Sequence, residues 1–85
     1  MTQGVCLTGR QVRAARAVLR WSVKELSERS GVGFATIVRY EEQVGVPRSR
    51  KGNLEKLRLV FETAGIEFVG TPDDRPGLRI GTPRG

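Results

Sequence analysis

The chain has no histidine, one cysteine and only five aromatic residues among its 85. Each scarcity removes a class of function. Without histidine, Ser22, Ser27, Ser30 and Ser49 have no imidazole to activate them, and no paired-carboxylate arrangement takes its place. The lone Cys6 excludes an intrachain disulfide and a zinc site of the finger type, and it reads as a packed or frayed thiol. Trp21, Phe34, Tyr40, Phe61 and Phe68 are too few to wall an enclosed substrate cavity in so small a core, so neither an enzyme nor a cofactor or metal is expected. Long apolar runs are also missing, and no signal peptide opens the chain, which predicts a cytoplasmic protein without membrane contact.

Acidic residues are the last scarcity, 9 against 15 lysines and arginines, for a net charge of +6. The excess is not spread evenly. Residues 1–43 carry seven basic and four acidic groups, residues 44–65 five and two, and residues 66–85 three of each. A polyanionic partner is therefore favoured for the first two thirds of the chain, and the tail need not touch it.

The stretch 22–42, SVKELSERSGVGFATIVRYEE, reads as two short helices joined by a tight turn. Ser22 and Glu25 form an S-x-x-E capping box that opens a helix at Val23. Leu26 is its buried contact, and Gly31 stands where the chain must turn left-handed. Val32 plugs the turn, the small Ser27 suits a close helix crossing, and a second helix runs from about Phe34 to Glu42. On it Ile37 and Tyr40 share one face with Glu41 beside them, and Ala35, Val38, Arg39 and Glu42 turn away. This is the pattern of a DNA-binding helix-turn-helix whose second helix enters a major groove.

Leu26, Ser27, Gly31, Val32, Ile37 and Tyr40, within the string L-x-E-R-S-G-V-x-x-x-T-I-x-R-Y-E, also resemble the motif of the lambda-repressor-like regulators, the xenobiotic-response-element family. The resemblance covers Val12 to about Gly65 and is weaker in the tail. It implies a sequence-specific transcriptional regulator of double-stranded DNA. Two positions depart from the family pattern: Gly33 replaces a small polar cap at the recognition-helix start, and Val23 replaces a glutamine that reaches phosphate.

Around this motif, Thr8 and Gln11 form a T-x-x-Q capping box that starts a helix reaching about Arg20, with Val12, Ala15 and Leu19 on its apolar face. Arg13, Arg16 and Arg20 form a positive stripe that either attracts phosphate or is simply solvated. Trp21 is expected to pack across the joint between the first two helices, with Lys24 and Arg29 solvent-facing. Residues 43–52 form a loop whose Arg48, Arg50 and Lys51 are the densest basic cluster. Asn53 caps a fourth helix, residues 54–64, with an apolar stripe of Leu54, Leu57, Val60, Phe61 and Ala64. After Gly65 the period changes to alternation, and a β-hairpin with a long loop follows.

The expected fold is mainly α: a four-helix helix-turn-helix domain over residues 8–65, then a short β-hairpin or strand pair over 66–80. A flexible arm (1–7) and a disordered end (81–85) flank them. Base readout is assigned to Phe34, Ala35, Thr36, Val38 and Arg39, with Phe34 alternatively half-buried core. Phosphate contact is assigned to Ser22, Lys24, Gly33, Arg48, Arg50 and Lys51. A homodimer on a pseudo-palindromic site is expected, joined through Ile66, Phe68, Leu78 and Ile80 by strand pairing or side-chain packing. The alternative is a hairpin folded back on its own helices. The competing function is a protein-interaction module, such as an antitoxin or adaptor, that binds its partner through the C-terminal strand.

Overall fold

Four helices precede a two-stranded antiparallel sheet in the computed structural model, which describes residues 7–43, 45–47, 52–71 and 74–82. The helices are α1 (Gly9–Leu19), α2 (Val23–Ser30), α3 (Phe34–Glu41) and α4 (Asn53–Thr63); the strands are β1 (Ile66–Thr71) and β2 (Asp74–Ile80). This is the mainly α fold with a C-terminal hairpin that the hydrophobic periods predict.

The caps explain where the first helices begin. Thr8 Oγ1 accepts from the Gln11 amide at 3.1 Å while Gln11 Oε1 accepts from the Thr8 amide at 3.0 Å, so the capping box of α1 is complete. At α2 the expected capping box is only half made: the Ser22 hydroxyl accepts from the Glu25 amide at 3.0 Å, while the Glu25 carboxylate turns to Arg29, also at 3.0 Å. Gly31, at φ 79°, then ends α2 in the left-handed region that glycine enters at no steric cost. The Ser27 and Ser30 hydroxyls are spent on the same turn. Ser27 donates to the Val32 carbonyl at 2.7 Å, and Ser30 accepts from the Val32 amide at 3.1 Å. Ser27 is therefore a turn-binding residue as well as a small one.

The core gathers one face of each helix: Val12 and Ala15 from α1, Leu26 from α2, Ile37 and Tyr40 from α3, and Leu54, Leu57 and Phe61 from α4. Val32 fills the turn between α2 and α3. Trp21 stacks on Phe61 with ring centroids 6.0 Å apart, so it ties the α1–α2 joint to α4. Arg29 lies over the same indole at 4.4 Å.

Several details differ from the sequence expectation. Leu7, read as part of a loose arm, is a buried core residue. Asn53 does not cap α4. It is the first helical residue, Gly52 precedes it at φ 90°, and its side-chain amide donates to the Tyr40 hydroxyl at 3.2 Å. The hairpin has no long loop: β1 runs through Thr71 and β2 already begins at Asp74, with an irregularity between Val69 and Thr71 where Gly70 takes φ 75°. Gly81, placed in the disordered end, donates its amide to the Gly65 carbonyl at 2.7 Å.

The tail takes the alternative placement, folded back on its own helices. Ile66 is buried, and Phe68 and Leu78, paired across the strands, pack against the same core. Phe68 meets Phe61 edge-on at 5.9 Å. Gln11 fastens the hairpin to α1, its side-chain amide donating to the Gly77 carbonyl at 2.8 Å. The hairpin therefore covers its own helices. Of the four side chains assigned to dimerisation, Ile66 is buried, Phe68 and Leu78 are half-buried against helices of the same chain, and Ile80 is exposed.

Candidate functional site

The outward face of α3 stands out chemically. Ile37 and Tyr40 anchor the helix with 0% and 2% exposure, whereas Phe34 is 54% exposed and Ala35 and Arg39 are open to solvent beside it. Phe34 is thus not the half-buried core residue that the alternative reading allowed. Thr36 and Val38 are half-buried on the flanks of this face. The side-chain amide of Gln43 folds back and donates to the Arg39 carbonyl at 3.4 Å.

The start of α3 is uncapped. Gly33 occupies the N-cap with φ −60° and ψ 146°, and no side chain accepts from the first-turn amides. A Cβ placed there would find only Thr36 Oγ1, at 3.7 Å, so space does not dictate glycine. Ser22 and Lys24, at the start of α2, are both exposed. Arg48, Arg50 and Lys51 lie outside the described residues.

Two long-range contacts hold α3 in position, and sequence reasoning reached neither. Arg16 of α1 grips Glu41 of α3 with two hydrogen bonds, Nε to Oε2 at 2.8 Å and Nη2 to Oε1 at 3.0 Å, and its Nη1 donates to the Trp21 carbonyl at 3.0 Å. The Glu41 side chain is only 9% exposed, which makes this bidentate pair worth more than a surface ion pair. Hydrogen bonding to Glu41 holds the Arg16 guanidinium above its ordinary value despite the opposing effect of burial. A raised folded-state value means that this stabilisation is fully present below the ordinary arginine range and is lost only as pH rises through the folded value. Arg16 therefore leaves the phosphate-attracting stripe: it is a clamp between helices, and neither a solvated nor a free cation. Nothing in the local spacing pairs a residue of α1 with one 25 positions later.

The second contact is a close approach of backbones. A Cβ on Gly9 would collide with the carbonyl oxygens of Tyr40 and Gln43, and the Gly9 amide donates to the Gly45 carbonyl at 3.1 Å. The first residue of α1 is thus seated on the C-terminal end of α3.

No protein-family model and no curated protein matches this chain. What the site can do is therefore read from its own chemistry. Among the described residues no group of histidine, cysteine and acidic side chains is arranged to hold a metal ion, and no helix is long and apolar enough to cross a membrane. The charge is distributed in a telling way. Among the described residues, carboxylates pair with Arg16 (Glu41), Arg29 (Glu25), Arg58 (Glu62) and Arg79 (Glu67). Arg10 and Arg13 of α1, Arg20 just beyond its end, Lys24 of α2 and Arg39 of α3 are exposed and enter none of these pairs. The unmatched positive charge on the first three helices is available to an anionic partner.

Proposed function

We propose that the protein is a sequence-specific regulator that binds double-stranded DNA by laying α3 in the major groove, two copies occupying a pseudo-palindromic site. The observation that carries this reading is the divided character of α3. Its inner face is locked by Ile37, Tyr40 and the Arg16–Glu41 clamp, and its outer face presents Phe34, Ala35 and Arg39 from a rigid support. A helix that reads bases needs this combination, because base-edge contacts demand fixed side-chain positions on a protruding surface. The motif resemblance to lambda-repressor-like regulators and the net charge of +6 point the same way.

In this reading Arg39 reads a guanine, its fork spanning O6 and N7. Phe34 and Ala35, flanked by Thr36 and Val38, offer apolar surface of the kind that meets thymine methyl groups. Ser22, Lys24 and the uncapped amides after Gly33 contact phosphates, joined by Arg48, Arg50 and Lys51 on the sequence argument alone. A partner protein docking on the C-terminal strand is the weaker reading: Ile80 is the one large apolar side chain left exposed on the strands among the described residues.

Replacing Arg39 with alanine tests the proposal. Because Arg39 is exposed and supports no described ion pair, the fold should be unaffected. Affinity for the preferred duplex should fall by roughly 1–3 kcal/mol, and affinity for random duplex by much less. Fluorescence anisotropy on both duplexes measures the difference. Equal losses would reduce Arg39 to a phosphate contact.

A further inference from the structure

The outer face of α4 has no role in the fold or in the proposed DNA contact. Leu54, Leu57 and Phe61 turn inward, which leaves Glu55, Lys56, Leu59, Glu62 and Thr63 on the opposite side. Leu59 is 64% exposed at the centre of that side, as open as any large apolar side chain described in the chain. Glu55 and Thr63 lie one turn before and after it on the same stripe.

The charges around Leu59 are arranged symmetrically and with opposite sign. Lys56 precedes it by three residues and Glu62 follows it by three. The helix as a whole carries Glu55 and Glu62 against Lys56 and Arg58, so it is electroneutral in a chain of net charge +6. Two copies of a basic protein can approach each other only where their like charges do not meet, and α1, with Arg10, Arg13 and Arg16 and no acid, does not offer that.

We propose that the chain self-associates as a two-fold homodimer through the outer faces of two antiparallel α4 helices, with Leu59 on the axis. An isologous contact repeats every interaction twice. In this register Leu59 packs on the partner's Leu59, and Lys56 meets the partner's Glu62, whose Oε2 accepts from Arg58 of its own helix at 2.9 Å and whose other oxygen is left for the lysine; by symmetry Glu62 meets the partner's Lys56. Beyond Thr63 the surface continues as a groove lined by Leu19, Trp21, Arg29, Val60, Thr63 and Ala64. The same register brings the partner's Glu55 to Thr63, at the edge of that groove. Because α4 packs on α2 and β1, while α3 packs on α1 and α2, a partner seated there leaves the outer face of α3 uncovered. This surface replaces the tail as the joint of the proposed homodimer. It is tested on protein alone, so failure to dimerise and failure to bind DNA are read separately.

The test is sedimentation equilibrium of the full chain from micromolar to near-millimolar concentration. The wild-type protein should follow a monomer–dimer equilibrium. Leu59→Lys sets two like charges on the axis and should weaken association by at least about tenfold, with an unchanged circular dichroism spectrum because the site is exposed. Lys56→Glu should weaken it as well, and combining it with Glu62→Lys should restore it. Ile80→Lys, at the exposed end of the tail, should leave it unchanged. A wild-type protein that stays monomeric would overturn the proposal, as would a Leu59→Lys protein that dimerises normally. Dissociation caused by Ile80→Lys would return the joint to the tail and equally overturn it.

Discussion

A Gly9→Ala protein should be markedly less stable than the wild type, although alanine is the better helix former. Gly9 is the first residue of α1, and intrinsic propensity favours alanine there by up to about 1 kcal/mol. The space does not allow it. The new methyl would overlap the carbonyl oxygens of Tyr40 and Gln43, which are backbone atoms that cannot rotate aside. Relief requires α1 to lift from the end of α3, with loss of the Gly9–Gly45 hydrogen bond and strain on the Arg16–Glu41 clamp. Overpacking of this kind costs about 1–3 kcal/mol where side chains can adjust, and the upper end is expected where they cannot. A melting temperature lower by about 10 °C or more follows for a domain of this size. Thermal denaturation followed by circular dichroism measures it, and an equal or raised midpoint would show that α1 is not seated as described.

Deleting everything after Gly65 should abolish cooperative folding, where a separable dimerisation tail would leave a folded monomer. The hairpin contributes Ile66, 2% exposed, together with the half-buried Phe68 and Leu78. At about 25 cal/mol per Å² of apolar surface, one fully buried isoleucine and two half-buried large side chains are worth roughly 4 kcal/mol. Removing the Gly77 carbonyl also strands the side-chain amide of Gln11, at a further cost of about 1 kcal/mol. The sum rivals the whole stability of a small domain. A truncated protein with a sharp melting transition near that of the full chain would contradict the placement of the hairpin.

These two cases mark the boundary of what the chain's local patterns reveal. Caps are local chemistry, so Thr8 with Gln11, Ser22 with Glu25, and the left-handed Gly31 were legible from residues within a single turn of one another. The buried face of α3 was equally legible, since Ile37 and Tyr40 repeat at helical spacing. Long-range partners leave no such trace. The Arg16–Glu41 clamp, the Gln11–Gly77 hydrogen bond and the tight seat of Gly9 each join residues far apart in sequence, and their types are common on any helix surface. The early start of β2 was hidden for a different reason. Asp74, Arg75, Pro76 and Gly77 have poor strand propensity and read as a turn, yet pairing with β1 and packing on α1 override that preference. The site residues of α3 followed from the same period that gave its core face, whereas Arg16 was read as a surface cation because its acceptor lay on another helix.

On the proposed function, the outer face of α3 reads DNA sequence. Selection of bound duplexes from a randomised pool by the purified full-length protein tests it most directly. A single enriched sequence with two-fold related halves is expected, containing a guanine whose preference disappears in the Arg39→Ala protein. Recovery of a pool no different from the starting mixture, at salt concentrations that suppress purely electrostatic binding, would contradict it.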